Sequence, residues 1–295
     1  MASNPPAYQT QSAVLAIILS VAALSLGDAV IKGSGLTLPL WQMLILRSAL
    51  VVPVLLGLAL HRRARILTNL RWTALRSLLL VCMWLSYYAA LPLMPLSLAA
   101  AAFYTGPLFI VALSALVARH WPVGPVIVAI VAGFFGVLLI IRPDTSGFAL
   151  GTLLPVLAAM LYACAMVLTS AKCRADDPIA LVLFLNLSFI LCGGVLGLFS
   201  GREGSFLLGP WQALTPPLMG AVSVLAILIL IGSLGAAIAY QKGPPATVAA
   251  FDYSYLIFSL AWGAVFFAEW PSALGLIGIG IILGAGLLAL PRRQG

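Results

Sequence analysis

Charge is what this sequence lacks most. Only 7% of its 295 residues are Asp, Glu, Lys or Arg, against roughly a quarter in a soluble domain. Acids are the scarcer sign, seven Asp and Glu against fifteen Lys and Arg. Histidine is nearly absent, and both copies, His61 and His120, fall between apolar runs. No serine therefore has a histidine partner at membrane depth, no cluster has metal-ligand spacing, and no phosphate-cradling loop is present. These absences argue against a membrane hydrolase and a nucleotide-driven pump, so no enzyme activity, cofactor or metal is expected. Cysteine is sparse too. Cys82, Cys164, Cys173 and Cys192 lack metal or redox spacing, and three lie inside apolar runs, as ordinary buried thiols do. Residues 1–11 have no basic segment, so no cleavable signal peptide is expected.

What the sequence has instead is hydrophobic length. It is 63% hydrophobic throughout, which describes a polytopic membrane protein rather than a large soluble core. A bilayer core about 30 Å thick needs about 20 apolar helical residues. Proline, glycine and charge cut the chain into ten such runs, near 12–32, 39–60, 72–91, 95–117, 122–141, 147–170, 178–199, 218–240, 245–267 and 272–290. The runs are too long and too uniform for a β-barrel, so the fold class is all-α, with ten transmembrane helices.

The basic residues sort by side. Arg62, Arg63, Arg65, Arg71 and Arg76 flank the second connection, and ten spans bring Arg119, Lys172, Arg174, Lys242, Arg292 and Arg293 to the same side. Only Lys32, Arg142 and Arg202 fall opposite. Positive charge marks the cytoplasmic face, which places both termini in the cytoplasm. The net charge of +8 is thereby used by topology, and nucleic acid is not an expected partner. Trp41, Trp72, Trp121, Trp211 and Trp270 fall near span ends, as interfacial anchors do.

The chain also repeats. Shifted by 149 residues, MPLSLAAAAFY (94–104) lies over GPPATVAAFDY (243–253). Tyr104 then meets Tyr253, Phe109 meets Phe258, and Trp121-Pro122 meets Trp270-Pro271. A duplicated unit of five spans, residues 1–145 and 146–295, is odd in number, so its copies cross the membrane in opposite senses. Inverted repeats are a signature of secondary transporters that bind solute at midplane between the halves.

Three stretches carry a family resemblance: PLWQMLILRSALVVPVLLGLAL (39–60), YYAALPLMPLSLAAAAFYTGPLFIVALSALVARHWPVGPVIVAIVAGFFGVLLI (87–140) and FFAEWPSALGLIGIGIILGAGLLAL (266–290). They resemble EamA-type drug/metabolite transporters, most of all bacterial amino-acid exporters of the YddG type. The resemblance implies a cavity surrounded by helices one to four and six to nine, a scaffold of helices five and ten, and alternating access by rocking of the halves. The family often has a glutamate ending both the fourth and ninth spans. Here Glu269 ends the ninth, but Arg119-His120 ends the fourth, so Glu269 reads as a loop charge.

Ionisable residues inside spans are costly and mark function by default. Asp28 and Lys32, four apart on one helix face, are read either as a self-paired interfacial couple or as a gate or coupling site. Arg47 lies eight residues past Pro39, about 12 Å below the outer surface, and Asp252 seven past Pro245, about 10 Å above the inner one. Two readings stay open for this pair, a structural ion pair or a polar pair lining the cavity. Trp84, Tyr87, Tyr88, Tyr104, Tyr162, Tyr253, Tyr255 and Trp262 lie in the spans expected to face it and offer ring faces to cations and apolar groups. Asn186 sits in the seventh span and suits a solute or an interhelical hydrogen bond. Gly280/Gly284 and Ala129/Gly133 have the spacing of close helix contacts.

The reading is a secondary exporter of small organic solutes, with the lipid bilayer and the solute as its partners. A monomer is expected, with a homodimer as the alternative. Phosphorylated anions need clustered cations, and this core offers only Lys32 and Arg47. A zwitterion with an apolar side chain fits better: Arg47 for its carboxylate, Asp252 for its ammonium. A multidrug exporter of lipophilic cations would need Asp252 and the rings but not Arg47. An integral-membrane enzyme and a channel are the readings from other classes.

Overall fold

In a computed structural model, the structure describes residues 7–33, 38–64, 68–90, 93, 102–119, 121–122, 124–141, 153–203, 205–268 and 273–289. Eleven helices carry the chain among these residues. They are α1 (Ala7–Gly33), α2 (Leu40–Arg62), α3 (Leu70–Ala90), α4 (Gly106–Ala118), α5 (Gly124–Ile141), α6 (Leu153–Lys172), α7 (Pro178–Gly197), α8 (Pro216–Lys242), α9 (Pro245–Asp252), α10 (Ser254–Phe267) and α11 (Ala273–Ala289). No strand occurs among the described residues.

Seven segments are long and apolar enough to cross a membrane, with α9 and α10 together counting as one, Pro245–Phe267. The fourth, fifth and tenth sequence runs hold shorter apolar helices, Gly106–Ala118, Gly124–Leu139 and Ala273–Ala285. Much of the fourth run and Glu269 lie outside the described residues. In an apolar medium each backbone group must be satisfied within its own segment, which is why such runs become helices. Their starts are conventional: Pro178 and Pro216 occupy first-turn positions, and the Asp177 carboxylate accepts from the Ile179 amide at 2.8 Å.

Helices from the two ends of the chain pair with one another. The main partners are α1 with α8, α2 with α7, α3 with α6, and α5 with α11. α10 lies on α1, α4 on α6, and α9 on α4. Small residues set the closest approaches. A Cβ on Gly235 of α8 would meet the Ala16 carbonyl of α1 at 2.7 Å, and the Ser20 hydroxyl donates to the Gly232 carbonyl at 2.6 Å. Between membrane helices such contacts and interhelical hydrogen bonds replace the hydrophobic drive. Gly133 and Gly136 of α5 are equally tight, the latter 2.9 Å from the Gly278 carbonyl of α11 once given a Cβ. Gly280 and Gly284 are not: a Cβ at either meets nothing within 4 Å. The close contact expected of that pair is made by Gly278 instead.

The same local backbone recurs 149 residues apart. Residues 102–103 are helical, the chain turns at Tyr104 and Thr105, and α4 begins at Gly106. In the later copy α9 ends at Asp252, Tyr253 turns, and α10 begins at Ser254. The Thr105 hydroxyl donates to the Ala102 carbonyl and the Ser254 hydroxyl to the Phe251 carbonyl, each at 2.6 Å. Both resumed helices end on a non-glycine residue in the left-handed region, Arg119 at φ 56° and Ala268 at φ 55°.

Candidate functional site

Arg47 stands two turns into α2 and is 2% exposed. Its guanidinium lies over the ring of Phe189 on α7, 4.8 Å from the centroid, and over Trp84 on α3 at 5.6 Å. Nε and Nη2 find no acceptor among the described residues. The Ser48 hydroxyl and Asn186 Oδ1 are likewise buried without a partner there, while Asn186 Nδ2 donates to the Val182 carbonyl at 2.9 Å. Asn186 and Phe189 are three apart, hence on one face of α7. Buried polar groups are normally paired, so this concentration of unpaired atoms between α2 and α7 marks a place where something else is held.

Asp28 of α1 supplies the opposite charge. The Tyr255 hydroxyl of α10 donates to its Oδ2. Its charge is felt by Arg47 and by Tyr87, Tyr88 and Tyr104. Asp28 is exposed, and Tyr255 packs in turn on Tyr104, so this acid adjoins the aromatic residues of the bundle. The side chain of Lys32, the other member of the expected Asp28–Lys32 couple, lies outside the described residues.

A run of rings leads from this charge pair across the molecule. Trp84 stacks on Tyr88 at 5.2 Å, and Tyr87 meets Phe103 at 5.2 Å. Phe103 touches Tyr104 at 6.1 Å and Tyr162 at 5.9 Å. Tyr104 lies 5.7 Å from Tyr255, and Tyr162 stands edge-on to Tyr240 at 6.4 Å.

Asp252 closes the run at its far end. It is 7% exposed and accepts at Oδ2 from two hydroxyls, Tyr240 at 2.5 Å and Tyr162 at 3.2 Å. Among the described residues no hydrogen bond or ion pair joins it to Arg47 or to any other cation. The two groups whose pairing was open in the sequence therefore stand at opposite ends of the aromatic run, each with its own partners.

Polar ties close both ends of the bundle. Near the start of α2, the Leu40 amide donates to the Phe206 carbonyl at 2.8 Å, Trp41 Nε1 to Gly209 at 2.9 Å, and Gln42 Nε2 to Gln212 at 2.8 Å. Trp41 is thus buried under the α7–α8 connection rather than serving as an interfacial anchor. At the basic end, Arg76 Nε donates to Thr169 Oγ1 at 2.7 Å, and Gln241 Nε2 to the Cys173 and Asp176 carbonyls at 2.6 and 2.8 Å. Arg76, grouped from the sequence with the loop charges, is 1% exposed and ties α3 to α6.

Of the residues expected at the site, Arg47, Trp84, Tyr87, Tyr88, Tyr104, Tyr162, Asp252 and Asp28 belong to this connected set. Tyr253 does not face it in the same way. Its ring fills the notch left by Gly133, and its hydroxyl donates to the Ile130 carbonyl at 3.3 Å, docking the helix break onto α5. Trp262 Nε1 donates to the Ser25 hydroxyl at 3.1 Å. Phe103, Phe189 and Tyr240 were missed. Tyr240 had a signal: it is the one aromatic residue in the long apolar run 218–240.

A membrane-spanning helical bundle that gathers unpaired polar groups and rings in its interior is suited to hold a small solute and release it unchanged, the work of a transporter rather than an enzyme. The comparisons agree. Residues 11–142 match the EamA-like transporter family. A riboflavin transporter from Brucella anthropi is 27% identical over 65% of this chain and 66% of its own length. One from Rhizobium johnstonii is 28% identical over 80% of this chain and 74% of its own. A pseudopaline exporter from Pseudomonas aeruginosa is 24% identical over 96% of this chain and 97% of its own. A crystal structure with 18% identity superposes at a TM-score of 0.79 and covers 97% of both chains, which shows the fold.

Proposed function

We propose that the protein exports small amphipathic solutes of the amino-acid type across a bacterial inner membrane. The observation that carries this reading is Arg47: a buried guanidinium, sandwiched by rings, with two nitrogens, Nε and Nη2, unpaired among the described residues. A planar fork of donors suits a carboxylate. Asp28, held by Tyr255, is the acid on the same side of the aromatic run and takes the solute ammonium in place of Asp252. Trp84, Tyr87, Tyr88 and Tyr104 receive the apolar side chain, and the free Asn186 Oδ1 offers one further acceptor. Tyr162 and Trp262 border this space, and Tyr253 supports it.

Transport proceeds by alternating access between two inverted five-helix halves, residues 1–145 and 146–295, with both termini cytoplasmic. Helix pairing supports this. Exchange each helix for its counterpart 149 residues away, and α1–α8 becomes α6–α3, α1–α10 becomes α6–α4, while α2–α7 and α5–α11 map onto themselves. The recurring break at Tyr104 and Tyr253 supports it as well.

Counterflow into proteoliposomes tests the solute class, with L-phenylalanine, L-leucine, an organic cation, riboflavin and a nucleotide sugar as probes. Trans-stimulation by the amino acids, lost in Arg47→Met, is expected. Stimulation by the organic cation that survives Arg47→Met, or by the nucleotide sugar alone, overturns it. A flat ring solute is a second reading, favoured by the Trp84–Tyr88 stack and by the naming of two relatives as riboflavin transporters. Riboflavin counterflow without amino-acid counterflow selects it.

A further inference from the structure

Asp252 is left over from this account. It lies beyond Phe103 and Tyr162 from Arg47, and its recorded partners are neutral. Burying an ion costs several kcal/mol unless it is paired, yet every element against α9 withholds a cation. α4 offers Tyr104, α6 offers Tyr162 and α8 offers Tyr240. Residues 124–141 of α5 and 273–289 of α11 contain no titratable side chain. On α1, Asp28 faces Tyr255 instead, and the side chains of Tyr8 and Lys32 are outside the described residues. The adjoining Tyr253 bonds to Ile130. Arg76, on α3, is held by the Thr169 hydroxyl.

This differs in kind from a buried salt bridge. An Asp–Arg pair resists protonation, because neutralising the acid strands a buried cation. A tyrosine hydroxyl can donate or accept. When Asp252 is ionised, Tyr240 and Tyr162 donate to it. When it binds a proton at Oδ1, both hydroxyls can go on donating to Oδ2, and nothing is stranded. Both hydroxyls converge on Oδ2, which leaves Oδ1 as the oxygen to take the proton. The site also sits where the helix is interrupted, on the last residue of α9, with its partners on α6 and α8. A change in its charge therefore changes how α9 is tied to two neighbouring helices.

We propose that Asp252, clasped by Tyr162 and Tyr240, is a reversible proton-binding site, and that the protein exchanges protons for its solute. One proton binds as solute leaves on one side, and it is released on the other as the site resets. The exchange step rests on the solute reading above; the proton site does not.

Two measurements test it. In the first, infrared spectra of wild-type protein in proteoliposomes are taken across a pH series without solute. A carboxylic C=O band that rises and falls reversibly with pH, absent from Asp252→Asn and shifted in frequency by Tyr240→Phe, is expected. The absence of such a band at every pH, or its survival in Asp252→Asn, overturns the site. In the second, L-phenylalanine uptake is followed with an inside-acid gradient and the membrane potential clamped at zero. One-for-one exchange predicts accumulation of about tenfold per pH unit. Asp252→Asn is expected to lose this accumulation but keep phenylalanine counterflow at equal pH. Gradient-driven accumulation that persists in Asp252→Asn overturns the coupling. Wild type with no counterflow of any probe overturns the solute reading, and the infrared band then decides the proton site alone.

Discussion

Replacing Arg47 with methionine should make the protein more stable and less functional at once. Two guanidinium nitrogens, Nε and Nη2, are buried and unpartnered among the described residues, and each unmet donor atom costs about 1–3 kcal/mol. Against that stand ring contacts with Phe189 at 4.8 Å and Trp84 at 5.6 Å, worth about 0.5–2 kcal/mol each. Methionine fills similar length, keeps contact with the rings and carries no donor. Taking the middle of both ranges, about 4 kcal/mol for the two donors against about 2.5 kcal/mol for the two ring contacts, the balance favours the variant by about 1–2 kcal/mol. For a chain of this size that is a rise of about 2–4 °C in Tm. Thermal unfolding in detergent, followed by tryptophan fluorescence, reads it. Millimolar L-phenylalanine should raise the Tm of the wild type and leave Arg47→Met unmoved, because only a ligand that binds the native state shifts the melt. A variant that melts lower than wild type and is still stabilised by phenylalanine would refute the reasoning: Arg47 would then be a structural residue with partners beyond those described.

Other outcomes follow from the same contacts. Gly133→Val should cost about 2–3 kcal/mol by overpacking, since even a Cβ there falls 2.4 Å from Tyr253 Cδ2, while Gly280→Val, with nothing within 4 Å, should stay within about 0.5 kcal/mol. Thermal melts of the two variants side by side check the contrast. Gln241→Leu leaves the Cys173 and Asp176 carbonyls without their donor and should cost about 2–4 kcal/mol. It should also speed proteolysis at the α6–α7 connection relative to wild type.

Helix existence was legible in the sequence because a bilayer leaves the backbone no other local solution, and run length alone reveals it. The helix break shared by Tyr104 and Tyr253 was legible as a 149-residue correspondence in the sequence; Trp270-Pro271 lie outside the described residues. Depth misled where it was read along the chain. Arg47 and Asp252 differ little in height counted along their helices, yet a run of rings stands between them, and no count of residues along a helix records what lies between two helices. Arg76 was lost among the arginines of its connection because charge composition does not reveal which of several neighbours turns inward. Only the Thr169 hydroxyl across the α3–α6 contact tells them apart. The role of Tyr240 depends on Asp252 of the following helix, a relation between elements that a helix-by-helix reading does not contain.

The correspondence of helix pairs has a thermodynamic consequence. A chain whose halves were identical and inverted would have an outward-open and an inward-open state of equal free energy, because one would be the other turned over. The population of the two states is then set only by positions where the halves disagree. Asp252 opposite Phe103, and Arg119 opposite Ala268, are such positions. A difference of 1.4 kcal/mol at one of them tilts the resting population about tenfold. Under the proposed inverted repeat, the unmatched residues act as the weights on a balance whose arms a duplication would make equal.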